Sequence, residues 1–355
     1  MPVTANGKLD RAALPAPDAA AAPRVARAPG DAAERHLLAI WESLFGRDGL
    51  STDDDFFAIG GHSLLAVRLV DSIERTFGVR LPLDTFWFRG NTIRDIAGLL
   101  RGANAPLRWP LLVPIRPGGT RRPLFCVHTI GGNLFHYYEL AKALPDGQPV
   151  MGLNAVGVGG AEPARSRIAD IAADCITAMR SAQPAGPYRL LGFSSGGTVA
   201  YEMAQQLRAA GEQVDFLGLL DTWAPGTYLR APDGGLMERL IAPLRRYTDR
   251  RRLQHLVCSL TGLSPRRFPD AASAHWWAHW SYRPARYPGR VDLYVADASR
   301  REANAPCLGW SSRVEGQLVQ HAVEGSHGLM VKPPRVREIA HMLQQRLDEL
   351  DAAGD

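Results

Sequence analysis

Between Pro123 and Leu220 short apolar runs alternate with amphipathic stretches, and this alternation constrains the fold more than any other feature of the chain. PLFCVH (123–128), Val150 to Ala155, Tyr188 to Phe193 and Val214 to Leu220 read as buried strands. Leu134 to Leu144, Ile168 to Gln183 and Gly197 to Ala210 read as the helices between them. Strands separated by helices pair in parallel, because each return path needs a helix laid across the sheet. The pattern breaks from Trp223 to Pro288, a helical, basic and Trp-rich stretch. It resumes with VDLYVAD (291–297), QLVQHAV (317–323) and a last helix from Pro334 to Leu350. An insertion between late strands of such a sheet is a natural place for a lid.

The chain ahead of this module is punctuated by proline. Residues 15–30 read PAPDAAAAPRVARAPG, and a second Pro-rich stretch runs from Ala105 to Gly119. Neither carries an apolar period, so both read as linkers. The organisation that follows is a tail (1–18), a linker (19–30), a small module (31–104), a linker (105–119) and a large module (120–355) with its lid at about 223–290. The small module is all-helical by pattern. Leu37, Leu38, Trp41, Leu44 and Phe45 recur at helical spacing, as do Leu64, Leu65, Val67, Leu69, Val70 and Ile73. Thr92 and Asp95 form a helix-capping pair ahead of Ile93, Ile96, Leu99 and Leu100.

Composition narrows the function. The net charge is +5 and the pI about 9.2, which could suit nucleic acid. Only Lys8, Lys142 and Lys332 are lysines among 41 basic residues, however, and no recognition motif accompanies the arginines. Nucleic-acid binding is therefore not expected. No run of 18 apolar residues argues for a membrane span, and Met1-Pro2-Val3-Thr4 opens no signal sequence. Cys126, Cys175, Cys258 and Cys307 fit neither a metal nor a disulfide pattern, so no metal is expected and a reducing cytoplasm is the simplest location.

The strongest local chemistry in the large module is Gly192-Phe193-Ser194-Ser195-Gly196. A bare G-x-S-x-G recurs by chance in a Gly-rich chain. Here a strand precedes it and a helix follows, which is the setting of a nucleophile elbow. Small residues at −2 and +2 permit the sharp turn, and the helix N-terminus favours developing negative charge. A serine hydroxyl needs a base, and the base needs an orienting acid. Of the histidines after Ser194, His341 lies in a helix, His321 in a strand, and His255, His275 and His279 in the lid. His327, in the loop EGSHG after the strand QLVQHAV, is placed to hang over the sheet edge. Asp221 and Asp297 both end strands, and pattern alone leaves them at parity as the acid. An oxyanion hole requires two backbone N–H groups. Ser195 and Ile130, the latter in His128-Thr129-Ile130-Gly131-Gly132, are the expected donors, with His128 buttressing that loop.

The small module holds a more specific string: Asp54-Asp55-Phe56-Phe57-Ala58-Ile59-Gly60-Gly61-His62-Ser63-Leu64-Leu65. It resembles the phosphopantetheine attachment motif of peptidyl carrier proteins. The tail Thr4-Ala5-Asn6-Gly7-Lys8-Leu9-Asp10-Arg11 resembles the last motif of nonribosomal peptide synthetase adenylation domains. Together with the elbow, nearly the whole chain is similar to the carboxyl end of such a synthetase: adenylation remnant, carrier and terminal thioesterase. The resemblance implies a small four-helix carrier bundle followed by an α/β-hydrolase domain. It implies 4'-phosphopantetheine on Ser63, and it favours Asp221, in Asp221-Thr222, over Asp297. Lys8 matches an adenylate-contacting lysine, and with the rest of such a domain absent from this chain no adenylation role is expected of it here.

The implied activity is release of a peptidyl thioester through a Ser194 acyl-enzyme, by hydrolysis or macrocyclisation. Its implied partners are upstream condensation and adenylation domains and a phosphopantetheinyl transferase, with a monomer as the simplest state. Trp276, Trp277 and Trp280, with Tyr282, are candidates for an apolar pocket wall or for packing within the lid. Arg245, Arg246 and Arg250 to Arg252 could meet the carrier or an acidic substrate, or form a solvated face. The alternatives are an acyl-transfer or editing thioesterase, and a carrier unit with an inert hydrolase-like domain.

Overall fold

The computed structural model describes residues 27–61, 63–79, 81, 91–101, 110–132, 134, 136–158, 162–227, 268, 271–303 and 306–354. The adenylation-like tail with Lys8, His255, the arginines at 245–252 and most of the expected lid lie outside the described residues.

The small module contributes three helices among the described residues: α1 (Ala32–Phe45), α2 (Ser63–Phe77) and α3 (Ile93–Arg101). Their ends follow from local chemistry. Asp31 caps α1 by accepting from the Glu34 N–H at 2.8 Å, while Glu34 accepts from the Gly30 N–H at 2.7 Å. Gly46 ends the helix in the left-handed region, with φ 61°. Thr92 caps α3 by accepting from the Asp95 N–H at 3.1 Å. The apolar stripes meet in one core of Leu37, Trp41, Phe56, Leu69, Ile73, Ile93 and Ile96. The fourth helix of the expected bundle is not among the described residues.

The large module is built on a seven-stranded sheet. Its strands are β1 (Leu112–Arg116), β2 (Leu124–Val127), β3 (Val150–Leu153), β4 (Tyr188–Phe193), β5 (Val214–Leu220), β6 (Val291–Ala296) and β7 (Leu318–Val323). The order is β1-β3-β2-β4-β5-β6-β7, antiparallel at β1–β3 and parallel elsewhere. The helices are α4 (His136–Ala143), α5 (Ile168–Arg180), α6 (Ser195–Ala209), α7 (Ala271–Ser281), α8 (Asp297–Glu302) and α9 (Arg335–Gly354). A kinked segment, Pro306–Ser312, with Cys307, Leu308 and Gly309 at positive φ, lies between α8 and β7. The pleat of β2 shows how the sheet is covered on both faces. Phe125 and Val127 pack with Ile171 and Cys175 of α5 and Val199 and Met203 of α6. Leu124 and Cys126 pack with Tyr137 and Leu140 of α4 and Ile339 and Leu343 of α9. Burial pushes both thiols up, that of Cys175 to about 12, so they serve as small apolar fillers.

Two local expectations change. Leu112–Arg116 falls inside the expected linker yet forms the antiparallel edge strand β1. Val113 alone of its residues is buried, and Pro114 sits where the register slips, so the segment reads as linker from pattern. Asp297 does not end β6. It opens α8, and its carboxylate lies 3.7 Å from Arg300.

Candidate active site

Ser194 follows β4 at the carboxyl edge of the sheet and precedes the first turn of α6. Its backbone has φ 56° and ψ −125°, a conformation that costs an L-residue about 1–3 kcal/mol. Glycine at 192 and 196 makes this turn possible. A Cβ at Gly192 would collide with the backbone of Gly197, and one at Gly196 would lie 2.5 Å from the Val127 carbonyl oxygen. The Ser194 N–H is held by the Leu220 carbonyl at 2.9 Å, tying the turn to β5.

The end of β5 supplies the acid. Asp221, fully buried, also has positive φ, 44°. Its Oδ1 accepts from the Ala296 N–H at 2.9 Å. Its Oδ2 accepts from the Ser299 hydroxyl at 2.6 Å and from His327 Nδ1 at 2.7 Å. A carboxylate only accepts, so Nδ1 carries the proton and Nε2 is left with its lone pair. His327 Nε2 lies 3.0 Å from Ser194 Oγ and takes the hydroxyl hydrogen bond. The imidazole stacks on Phe193 at 4.8 Å and 22°. His136 touches the other side of this region, 4.9 Å from the Phe193 ring. Burial first, and then the charges of His327 and Lys332, lower it to about 4, so it stays neutral beside the relay.

The structure brings Ser194, His327 and Asp221 into one hydrogen-bonded chain, and leaves Asp297 out of it. Ser195 is the first residue of α6, where the helix dipole is positive. Ile130 is the second residue of a turn closed by the Gly132 N–H on the Thr129 carbonyl at 2.7 Å. That loop leaves β2 beside the elbow, since the His128 carbonyl would lie 2.7 Å from a Cβ at Gly196. His128 Nδ1 bonds the Thr129 carbonyl at 2.9 Å. Burial first, then the neighbouring His275, pushes His128 down to about 3. Tyr282 bonds Glu202 and accepts from Gln205 at 3.1 Å. Trp276 and Trp280 stack 5.5 Å apart on α7.

Two residues at the site escaped the sequence reading. Ser299 sits on the short α8, 78 positions from the carboxylate it holds, with no motif around it. Tyr137, on α4, donates to the Val127 carbonyl at 2.6 Å and accepts from the Phe193 N–H at 2.7 Å. It thereby bridges β2 and β4 where they part beside Ser194.

In the small module Asp55 organises the loop ahead of Ser63. Its Oδ1 accepts from the N–H groups of Phe57 and Ala58 at 2.8 and 2.9 Å, and its Oδ2 from Asn91 at 2.5 Å. Gly61 lies so close over Phe56 that a Cβ there would collide with its ring. Ser63 is the first residue of α2. Among the described residues no group of His, Cys, Asp and Glu could hold a metal ion, and no helix is long and apolar enough to cross a membrane.

Comparison with known proteins follows this division. The thioesterase domain family matches residues 122–347, and the phosphopantetheine attachment site family matches 35–100. The dimodular nonribosomal peptide synthase of Bacillus subtilis (strain 168) is 33% identical over 374 residues, covering 99% of this chain and 16% of that protein. Enterobactin synthase component F of Escherichia coli (strain K12) is 30% identical over 357 residues, covering 98% of this chain and 27% of that protein. The crystal structure of holo-AB3403, a four-domain nonribosomal peptide synthetase bound to AMP and glycine, aligns with a TM-score of 0.58 at 28% identity, over 97% of this chain and 28% of that one. The chain thus spans well under a third of the length of these relatives. The thioesterase match takes in more than half of the chain, including Ser194, Asp221 and His327, and the chain belongs to the thioesterase domain family, with a phosphopantetheine attachment domain ahead of it.

Proposed function

We propose that this chain ends nonribosomal peptide synthesis by releasing a peptidyl chain from its own carrier module through an acyl-enzyme on Ser194. The observation that carries this reading is the unbroken relay Asp221–His327–Ser194, at 2.7 and 3.0 Å, on the elbow between β4 and α6. The residues of the small module fit a covalent phosphopantetheine on Ser63. Asp55 and the close Gly61–Phe56 contact build the loop that ends at this helix start, and a helix N-terminus suits a phosphodiester anion. When attached, that group presents the peptide as a thioester on a long mobile arm. A phosphopantetheinyl transferase would supply it, and upstream condensation and adenylation domains would supply the peptide.

The chain's own residues then do the following. His327 Nε2 takes the Ser194 proton as Oγ adds to the substrate thioester carbonyl. Asp221 holds the ring in the required tautomer and stabilises the imidazolium that forms. The N–H groups of Ser195 and Ile130 receive the oxyanion. Collapse expels the thiolate, which takes the proton from His327, and leaves the acyl group as an ester on Ser194. His327 next removes a proton from water, or from an amine or hydroxyl of the peptide itself. That nucleophile adds to the ester carbonyl, the Ser194–acyl bond breaks as His327 returns the proton to Oγ, and an acid or a ring is released.

Intact-mass analysis of the full chain with a peptidyl thioester tests this reading. An acyl mass on Ser194 is expected, and Ser194→Ala should lack both it and turnover. Persistence of acylation in that variant overturns the assignment. Neither acylation nor turnover by wild-type protein whose Ser63 still takes the pantetheine group supports the inert-domain alternative. Ser63→Ala should abolish the pantetheine mass gain on treatment with a transferase and coenzyme A.

A further inference from the structure

The turn after β2 is pinned from two directions. On one side His128 Nδ1 and the Gly132 N–H both bond the Thr129 carbonyl, at 2.9 and 2.7 Å. On the other, His275 Nδ1, from α7 in the insertion between β5 and β6, bonds the Ile130 carbonyl at 2.9 Å across 145 positions of sequence. Carbonyl oxygens only accept, so both histidines carry their proton on Nδ1. The two rings lie 5.0 Å apart, and both side chains are buried, at 2% and 3% exposure.

These bonds act on different peptide planes. The Thr129–Ile130 plane bears the Ile130 N–H, and in a trans peptide that N–H points opposite to the Thr129 carbonyl. Fixing the carbonyl therefore aims the donor. The Ile130–Gly131 plane is the central peptide of the turn. Type I and type II turns differ by a flip of that plane, and glycine at the third position accepts either. The flip exchanges the directions of the Ile130 carbonyl and the Gly131 N–H. A loop lying against the elbow thus has two orientations of its central dipole, and the His275 bond selects one.

Resting on the acyl-transfer reading above, we propose that His275 is a positioning residue: its bond to the Ile130 carbonyl couples the seating of α7 to the orientation of the oxyanion loop. The loop keeps its central dipole in one orientation beside Ser194 only while this helix is docked, whereas the Ile130 N–H itself is aimed by His128 and the Gly132 N–H.

The test uses the full chain, a soluble peptidyl thioester and a peptidyl boronate, which forms a tetrahedral anionic adduct on the serine. His275→Leu removes the donor at similar bulk. His275→Asn keeps an N–H near the Nδ1 position, and His275→Gln moves it away. Loss of one oxyanion donor costs about 100- to 1,000-fold in kcat; a reversed central dipole beside an intact donor should cost less, about 10- to 100-fold. We expect that fall in kcat for Leu and Gln, KM within about twofold, and Asn within about threefold of wild type. Boronate affinity should fall in step with kcat/KM. Rates are taken per active site from the acyl burst, so misfolded protein does not enter. Equal kcat for Asn and Gln, or boronate affinity unchanged while kcat falls, overturns the proposal. If His275→Leu fails to fold, the Asn and Gln pair decides alone. Ser194→Ala in parallel separates the two readings: activity surviving there sinks the acyl-enzyme itself, whereas a dead Ser194→Ala beside an unaffected His275→Gln sinks only the coupling.

Discussion

The same sheet holds two aspartate–histidine pairs, one at each edge, each a buried carboxylate beside a more exposed imidazole. Asp221 and His327 stand at the carboxyl edge, 2.7 Å apart. Asp292 and His321 stand near the amino edge, 3.0 Å apart. Both carboxylates are almost wholly buried. Their remaining partners differ. Asp292 also meets Arg290 at 2.8 and 3.0 Å and Arg346 at 4.0 Å, and His321 stacks on Tyr294. Burial pushes Asp292 up, but its bonds to His321 and Arg290 outweigh that, and it ends below the ordinary carboxylate range. Its charge is already spent on guanidinium. Among the described residues Asp221 has only neutral donors besides its histidine, the Ala296 N–H and the Ser299 hydroxyl. Its negative charge remains available to a proton arriving on His327. An Asp–His pair becomes a proton relay when the acid lacks a permanent cation and the imidazole faces a hydroxyl.

Substitution of the two acids gives the largest contrast. Asp221→Asn should lower turnover of a peptidyl thioester by about 10⁴-fold, because the amide favours the wrong tautomer of His327. Asp292→Asn should leave turnover within about threefold. It should instead lower the unfolding free energy by about 1–3 kcal/mol in urea, a buried-pair cost discounted for the partly exposed Arg290. Comparable loss of activity from both would break the comparison. A smaller effect sharpens it: Ser299→Ala should lower kcat about tenfold, since it removes one charge-assisted bond from Asp221 and keeps the tautomer. An unchanged kcat in that variant would mean that Ala296 alone seats the carboxylate.

Acid should divide the two edges by pH. His128, lowered to about 3 chiefly by burial, and His136 and His279, lowered to about 4 chiefly by burial, are neutral in the fold. In the unfolded chain they take up protons below about 6.5. The unfolded state therefore binds more protons between about pH 6.5 and 4, and stability falls through that window as pH drops. Each histidine contributes a slope of at most about 1.4 kcal/mol per pH unit. Asp292, lowered from 3.8, contributes stability that is lost only at more acid pH, through its folded value. Urea titrations from pH 7 to 4.5 should show the slope reduced by about one proton in His136→Asn and unaltered in Asp292→Asn. Equal slopes in all three proteins would refute the assignment.

Much of this arrangement was legible in the residues, for reasons that also mark where legibility ends. Strands buried on both faces, such as LFCV at 124–127, announce themselves as apolar runs, and the elbow announces itself through glycines that no larger residue can replace. The edge strand Leu112–Arg116 carries a proline and buries one residue, so nothing in its pattern separates it from a linker. Asp221 and Asp297 look alike in sequence. The distinction lies in a positive φ at Asp221 and in the three donors that converge on it, one of them Ser299 from a later helix. His275 is one of several lid histidines until the turn at Thr129–Gly132 is seen beneath it. Local pattern identifies the groups that react, and tertiary contact selects those that hold them.

Tyr137 has a consequence of its own. A single phenolic oxygen stands in for a missing rung between two neighbouring strands, so they diverge without orphaning either backbone group. The parting of these strands beside Ser194 is thus built into the frame and held by the Tyr137 hydroxyl.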